Sequence, residues 1–262
     1  FIKSFYRRSD MSMLELTPDF IKEFAAYLST EAGLRNGSIW ANCMWLKGVV
    51  MKAHYNGLIP RNPFIQFHIS PNVKEREYLT EDELKAVMTH EFADSKLAYI
   101  RDIFIFASFT ALSFVDIQEL TNDNIVEVNG EKWILSKRHK TKVAFQVKLL
   151  DIPLQIVERY RPMQKDNRIF PGLNYWSICK PLKRMIRECG ITKSISFHCS
   201  RHGFATLALS KGMPIESVSR VLGHTNIVTT QLYAKITTQK LDNDLTMFGD
   251  KLSKTFNGIT MS

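Results

Sequence analysis

Between Ile59 and Glu77 the hydrophobic pattern lapses. Pro60, Pro63, Pro71 and the charged run Lys74-Glu75-Arg76-Glu77 take its place, while periodic apolar segments stand on both sides. A chain of 262 residues broken in this way is expected to fold around two cores rather than one. The boundaries expected from the pattern are a helical unit over residues 1–66, a linker over 67–77, and a larger unit over 78–262 that ends in a tail helix.

In the first unit, Thr17-Pro18 reads as a helix start, with Phe20, Ile21, Phe24 and Leu28 on one face. A second helix is expected from about Ser38 to His54, carrying Ile39, Cys43, Leu46 and Val50, with Gly57 as its stop. Trp40, Trp45 and Tyr55 lie on or just past this apolar helix and are read as core rather than as groups that stack on bases.

The second unit opens on Thr80-Glu81-Asp82-Glu83, a capping box. An apolar helix follows near Lys96 to Thr110. Asn129-Gly130 between two β-patterned runs predicts a hairpin with a type I′ turn, and Val143 to Leu150 predicts a third antiparallel strand. After Pro153 the pattern returns to helices, over about Gln155 to Arg161, Tyr175 to Cys189, Cys199 to Lys211 and Ile215 to Leu222, the last three closed by Gly190, Gly212 and Gly223. The fold class is therefore mainly α with a small antiparallel β-sheet (α+β).

Lys and Arg outnumber Asp and Glu by 35 to 26, for a net charge of +9. The excess is concentrated: six basic residues against one acidic from Glu131 to Lys148, and nine against two from Arg159 to Lys193. Such clusters suit a polyanion, although a charge run is also what a solvated face looks like. No apolar run is long enough to cross a bilayer, and Cys43, Cys179, Cys189 and Cys199 have neither zinc-site spacing nor disulfide density, which points to reduced thiols in a cytoplasmic protein.

The chemistry-bearing residues are clustered late in the chain. His198-Cys199-Ser200-Arg201 sits at a predicted helix start, where side chains three apart share a face and free N–H groups favour an anion. Alone it reads as a surface pair. Leu222-Gly223-His224 then places a histidine past a glycine-ended helix, and Tyr233 follows in Gln231-Leu232-Tyr233, a position that taken alone reads as the apolar side of a helix. The ordered set, His-x-x-Arg-His-Gly-x-Ala-Thr, Leu-Gly-His and Tyr, resembles the catalytic domain of the tyrosine recombinase/phage integrase family from about Tyr78 onward.

That resemblance implies roles. Tyr233 would be the nucleophile, with His198, Arg201 and His224 around it, and His202, Gly203 and Thr206 packing the helix. The family's active-site lysine lies in the hairpin turn Lys137 to Lys142, where Lys140 is the choice and Lys137 and Lys142 are close competitors. The departure from the family is at Thr110-Ala111-Leu112-Ser113, where the pattern is Thr-Gly-Leu-Arg, so Ser113 holds the place of the first arginine. This resembles the branch of integrases carried by conjugative transposons of Bacteroides-type bacteria. Ser offers one neutral hydrogen bond where Arg offers a charged fork, so Arg101 and Arg138 are candidate substitutes.

A phosphodiester attacked by a phenol passes through a five-coordinate phosphorus with added negative charge, which cationic donors stabilise. The phenol, with a pKa near 10, needs a base, for which His198 is the candidate; Lys140 would protonate the leaving 5′-oxygen. The 3′-phosphotyrosine stores the bond energy, so neither metal nor nucleotide cofactor is expected. Lys137, Arg138, Lys142 and Arg184 are the candidate DNA-phosphate contacts.

The resemblance further implies a core-binding (SAM-like) first domain, a clamp on double-stranded DNA, and integration or excision of a mobile element. It also implies a homo-tetramer on two DNA sites joined by the C-terminal tail, whose Leu241, Leu245 and Phe248 recur at helical spacing. A host DNA-bending protein or directionality factor would be possible partners, and the setting would be a bacterial cytoplasm, on the nucleoid. The chain opens on Phe1, so a preceding segment, such as the arm-binding domain many integrases carry, is expected to have been removed. The competing readings are a DNA-binding regulator that lost catalysis with the arginine, a monomeric topoisomerase-like enzyme of type IB, and a helix-turn-helix protein.

Overall fold

The computed structural model describes residues 1–7, 10–70, 77–139, 142–164, 166–234 and 238–257. The chain divides into two compact units, Phe1–Glu75 and Arg76–Ser262.

The first unit holds α1 (Ile2–Tyr6), α2 (Pro18–Thr30) and α3 (Asn36–Tyr55). Thr17 caps α2 by accepting the Phe20 N–H, with Pro18 in the first turn. The stripe Phe20, Ile21, Phe24 and Leu28 is buried against Ile39, Cys43, Leu46, Val50 and Ala53 of α3. Because that stripe takes one side of α3, the opposite side faces out. Trp45 is 68% exposed and Tyr55 79%, so the expectation that they are core fails for both. Trp40 is partly buried.

The second unit is mainly helical around a small antiparallel sheet. It comprises α4 (Glu81–Thr89), α5 (Ser95–Thr110), α6 (Phe114–Gln118), β1 (Ile125–Val128), β2 (Glu131–Lys137), β3 (Ala144–Lys148), α7 (Asp151–Tyr160), α8 (Tyr175–Glu188), α9 (His198–Ser210), α10 (Ile215–Leu222), α11 (Val228–Gln231) and α12 (Thr238–Thr255). The capping box at Thr80 forms, with the Glu83 N–H donating to Thr80 Oγ1 and the Thr80 N–H to Glu83 Oε2. Asn129 and Gly130 both take positive φ, 54° and 77°, which closes the β1–β2 hairpin in the turn their sequence predicts. The sheet order is β1-β2-β3, with Ile134 opposite Val147 and Ser136 opposite Phe145. Ile134, Phe145 and Val147 are turned into the core.

Helix α5 is the axis of this unit. It packs on α7, α8 and α9 and is buried on several sides, with Ile100, Ile103, Phe104, Phe106 and Ala107 inside, which is why its sequence is apolar all round rather than striped. Each buried phenylalanine contributes roughly 1.5–3 kcal/mol. A second, smaller cluster of Ala111, Ala205, Leu209, Val218 and Leu222 ties the end of α5 to α9 and α10, and Tyr233 packs on it. No helix among the described residues is long and apolar enough to cross a membrane.

Candidate active site around Arg138, Arg201 and Tyr233

The site forms where the C-terminal end of α5, the start of α9, the end of α10 and the β2–β3 loop meet. Ala111 ends α5 with φ 57°, a left-handed conformation that an alanine adopts under strain. That turn exposes the Ala111 carbonyl, which accepts from Arg201 Nη1 at 2.8 Å. Arg201 Nη2 donates to the Leu222 carbonyl at the end of α10. Burial first, then the charge of Arg138, pushes the Arg201 guanidinium down to about 10.

Arg138 belongs to the basic hairpin, yet it is only 5% exposed. Its guanidinium stacks 4.1 Å from the centre of the Phe145 ring, donates from Nη1 to Asp116 Oδ2 at 2.7 Å, and donates from Nη2 to the Val221 carbonyl. The two arginines therefore bond to the consecutive carbonyls of Val221 and Leu222, where the α10 dipole is negative. Among the described residues the buried Arg138 Nε has no hydrogen-bond partner, and Gly223 is what makes room for it: a Cβ there would lie 2.9 Å from Nε and 3.0 Å from Cγ. Arg138 is thus no surface phosphate hook, as the charge run suggested. Lys137, Lys142 and Arg184 do lie at the surface, Arg184 tied to Glu188 at 2.7 Å and Asp94 at 3.5 Å.

Asp116 holds this corner together. It accepts from Arg138, from the His139 N–H at 3.0 Å, from Ser113 Oγ at 2.7 Å and from the Ser113 N–H at 3.2 Å. Burial would raise its carboxyl, but the His139, Arg138 and Ser113 donors outweigh that and hold it below the usual range. Ser113, in turn, is the N-cap of α6 in a capping box with Asp116. Its hydroxyl proton is committed to Asp116, so in this state it offers no donor to a phosphate. The Ser113-x-x-Asp116 spacing was a readable signal for the cap, and Asp116 was the residue that sequence reasoning missed.

Arg101, the other candidate substitute, is held elsewhere. It pairs with Asp102 at 2.8 Å and donates to the His90 carbonyl at 2.9 Å. Ten residues of α5 separate it from Ala111, about 15 Å along the axis. Lys140 lies outside the described residues.

The histidines and the tyrosine complete the group. His198 is exposed at the start of α9, its ring edge-on to the buried His202 at 4.6 Å, and the His202 ring lies 5.1 Å from that of Tyr233. His224 is partly buried beside Gly223. Burial, then the charges of Arg201, Arg138 and His198, pushes its imidazole down to about 4, so it is neutral near pH 7. Tyr233 is partly buried and sits close enough to Arg201 for their charges to interact. Among the described residues no group of three or more His, Cys, Asp or Glu side chains is arranged to hold a metal ion.

A phenol, two guanidiniums and a neutral imidazole around one surplus positive charge make a site suited to a tetrahedral anion. The sequence profile of the phage integrase SAM-like domain matches residues 1–69. Tyrosine recombinase XerA of Pyrococcus horikoshii is 32% identical over 177 residues, 62% of this chain and 58% of that protein. Tyrosine recombinase XerC of Lactobacillus leichmannii is 25% identical over 229 residues, 82% of this chain and 77% of that protein. Among solved structures, the Tn1549 transposon integrase in complex with circular intermediate DNA superposes with a TM-score of 0.77 at 17% identity, covering 93% of this chain and 90% of that one. A lambda integrase dimer bound to a COC′ core site gives 0.69 at 18% identity, covering 88% and 84%. The profile of the phage integrase family itself matches residues 77–240, most of the second unit and more than half of the whole, and the chain belongs to that family.

Proposed function

We propose that the chain is a tyrosine-type site-specific DNA recombinase that breaks and rejoins duplex DNA through a 3′-phosphotyrosine link to Tyr233. The observation that carries this reading is the pair of guanidiniums, Arg138 and Arg201, bonded side by side to the Val221 and Leu222 carbonyls next to Tyr233. Among the described residues one carboxylate, Asp116, pairs with them. The surplus charge is what a scissile phosphate gaining negative charge requires.

In this reading Arg138 does the work of the arginine that Ser113 replaces, reaching the site from the hairpin while Ser113 and Asp116 hold it in place. Arg201 and His224 contact the remaining phosphate oxygens, His198 accepts the Tyr233 proton, and Lys140 protonates the leaving 5′-oxygen. The Ser at position 113 supports kinship with the conjugative-transposon branch, and the likeness to a transposon integrase supports integration or excision of a mobile element as the role. Lys137, Lys142 and Arg184 contact phosphates, and the first unit binds the same DNA. The tail helix presents Leu241, Leu245 and Phe248, exposed by 50%, 59% and 58%, as the contact that joins four copies on two sites.

The test uses nicked duplexes carrying the ends of the host element. The expected result is a protein–DNA adduct that survives SDS and is abolished by Tyr233→Phe. Tight binding of those duplexes with no adduct would replace the enzyme with a DNA-binding regulator.

A further inference from the structure

The neutral His224 has one ring N–H, and which nitrogen carries it decides whether the ring offers a phosphate a donor or a lone pair. Nδ1 of His224 lies 2.9 Å from Thr230 Oγ1. Thr230 is fully buried in α11, and among the described residues its hydroxyl has no other hydrogen-bond partner. A buried hydroxyl that fails to donate loses hydration without replacement, and Nδ1 is the acceptor within reach.

We propose that Thr230 is a positioning residue: its hydroxyl donates to Nδ1 of His224, places the imidazole proton on Nε2, and so aims a neutral N–H donor at the scissile phosphate. This rests on the recombinase reading of the site. The need for neutrality follows from the surroundings. Burial, then the charges of Arg201, Arg138 and His198, act on His224, and a third full charge beside the two guanidiniums would be repelled. A neutral donor adds a hydrogen bond to the developing oxyanion without that penalty.

The same residue touches the nucleophile segment. The backbone carbonyl of Thr230 accepts the Tyr233 N–H at 3.0 Å, so the turn that carries Tyr233 begins at the residue that orients His224. Orientation of the donor and docking of the tyrosine are therefore one event: displacing the segment removes the partner of Nδ1. No sequence motif signalled this role, because Thr229 and Thr230 are adjacent and only the fold distinguishes the buried one.

The experiment is nitrogen-15 NMR of the histidine-labelled 262-residue chain without DNA at about pH 7.5, with the His224 signal assigned by its loss in His224→Gln. The wild-type protein and Thr230→Ser should show a protonated Nε2 and a bare Nδ1, while the near-isosteric Thr230→Val should show mixed tautomers. Adduct formation should fall about 10- to 100-fold in Thr230→Val and stay within about threefold in Thr230→Ser. If Thr230→Val unfolds, Thr230→Ala supplies the same comparison. An unchanged tautomer in the hydroxyl-less variants, or a Ser variant as impaired as Val, overturns the proposal. Absence of any adduct from the wild-type chain would sink the recombinase reading instead, and the tautomer measurement would still decide what Thr230 does.

Discussion

Two buried aspartates, Asp102 and Asp116, gather donors in similar ways and serve different ends. Asp102 accepts from Arg101 at 2.8 Å, Arg159 at 2.7 Å and the Tyr160 hydroxyl at 2.7 Å, joining α5 to α7. Burial and the bond to Asp102 raise the Tyr160 hydroxyl, which keeps it a donor. Of its two arginines, Arg159 lies more than half in water, with 55% of its side chain exposed, so solvent absorbs the extra charge and the knot is closed. Asp116 pairs with one buried arginine, and beside it stands the partly buried Arg201, bonded among the described residues to the Ala111 and Leu222 carbonyls. There the extra charge is less open to water than at Arg159. A closed pair of charges holds helices together, whereas a partly buried cation without a carboxylate partner marks a place prepared for an anion.

Four substitutions bear on this contrast. The largest effect is expected from Arg138→Lys, which keeps the charge but loses the fork across Asp116 and Val221. Adduct formation per folded molecule should fall by about 10²-fold, while Arg101→Lys leaves it within about twofold. Equal losses in the two variants would mean that the Asp102 knot also serves the chemistry. Next, Asp102→Asn should cost about 2–3 kcal/mol in urea unfolding with little change in the rate of the folded fraction. A rate loss without a stability loss would reverse the assignment of the two knots. The smallest effect is expected at Ala111, where Ala111→Gly relieves the left-handed backbone and should raise stability by about 1 kcal/mol. Unchanged adduct formation in that variant would show that the strain is not used to aim the carbonyl that holds Arg201.

Much of the fold was legible locally. The Thr17 and Thr80 caps, the Asn129-Gly130 turn and the stripe on α2 involve residues within a few positions of one another, and backbone geometry decides them. The aromatic side chains of α3 were misread because an apolar helix does not announce how wide its buried face is. In a small unit, the other helices cover only one side of α3, and Trp45 and Tyr55 fall on the other. In the hairpin, six basic residues against one acidic read as a solvated face, and nothing in that run marks Arg138 as the one that turns inward. It does so because Phe145, Asp116, Val221 and the missing Cβ of Gly223 make a slot for it.

By itself the sequence determined the helical class with its small sheet and the ordered family motif that runs from His198 to Tyr233. Tertiary structure alone decided which cation of the hairpin turns inward to lie beside Arg201. The bonds that answer it span 22 residues from Arg138 to Asp116, 83 to Val221 and 90 from Arg201 to Ala111. No local periodicity can encode such pairings, since buried charges find their partners only once packing has removed the water that would otherwise satisfy them.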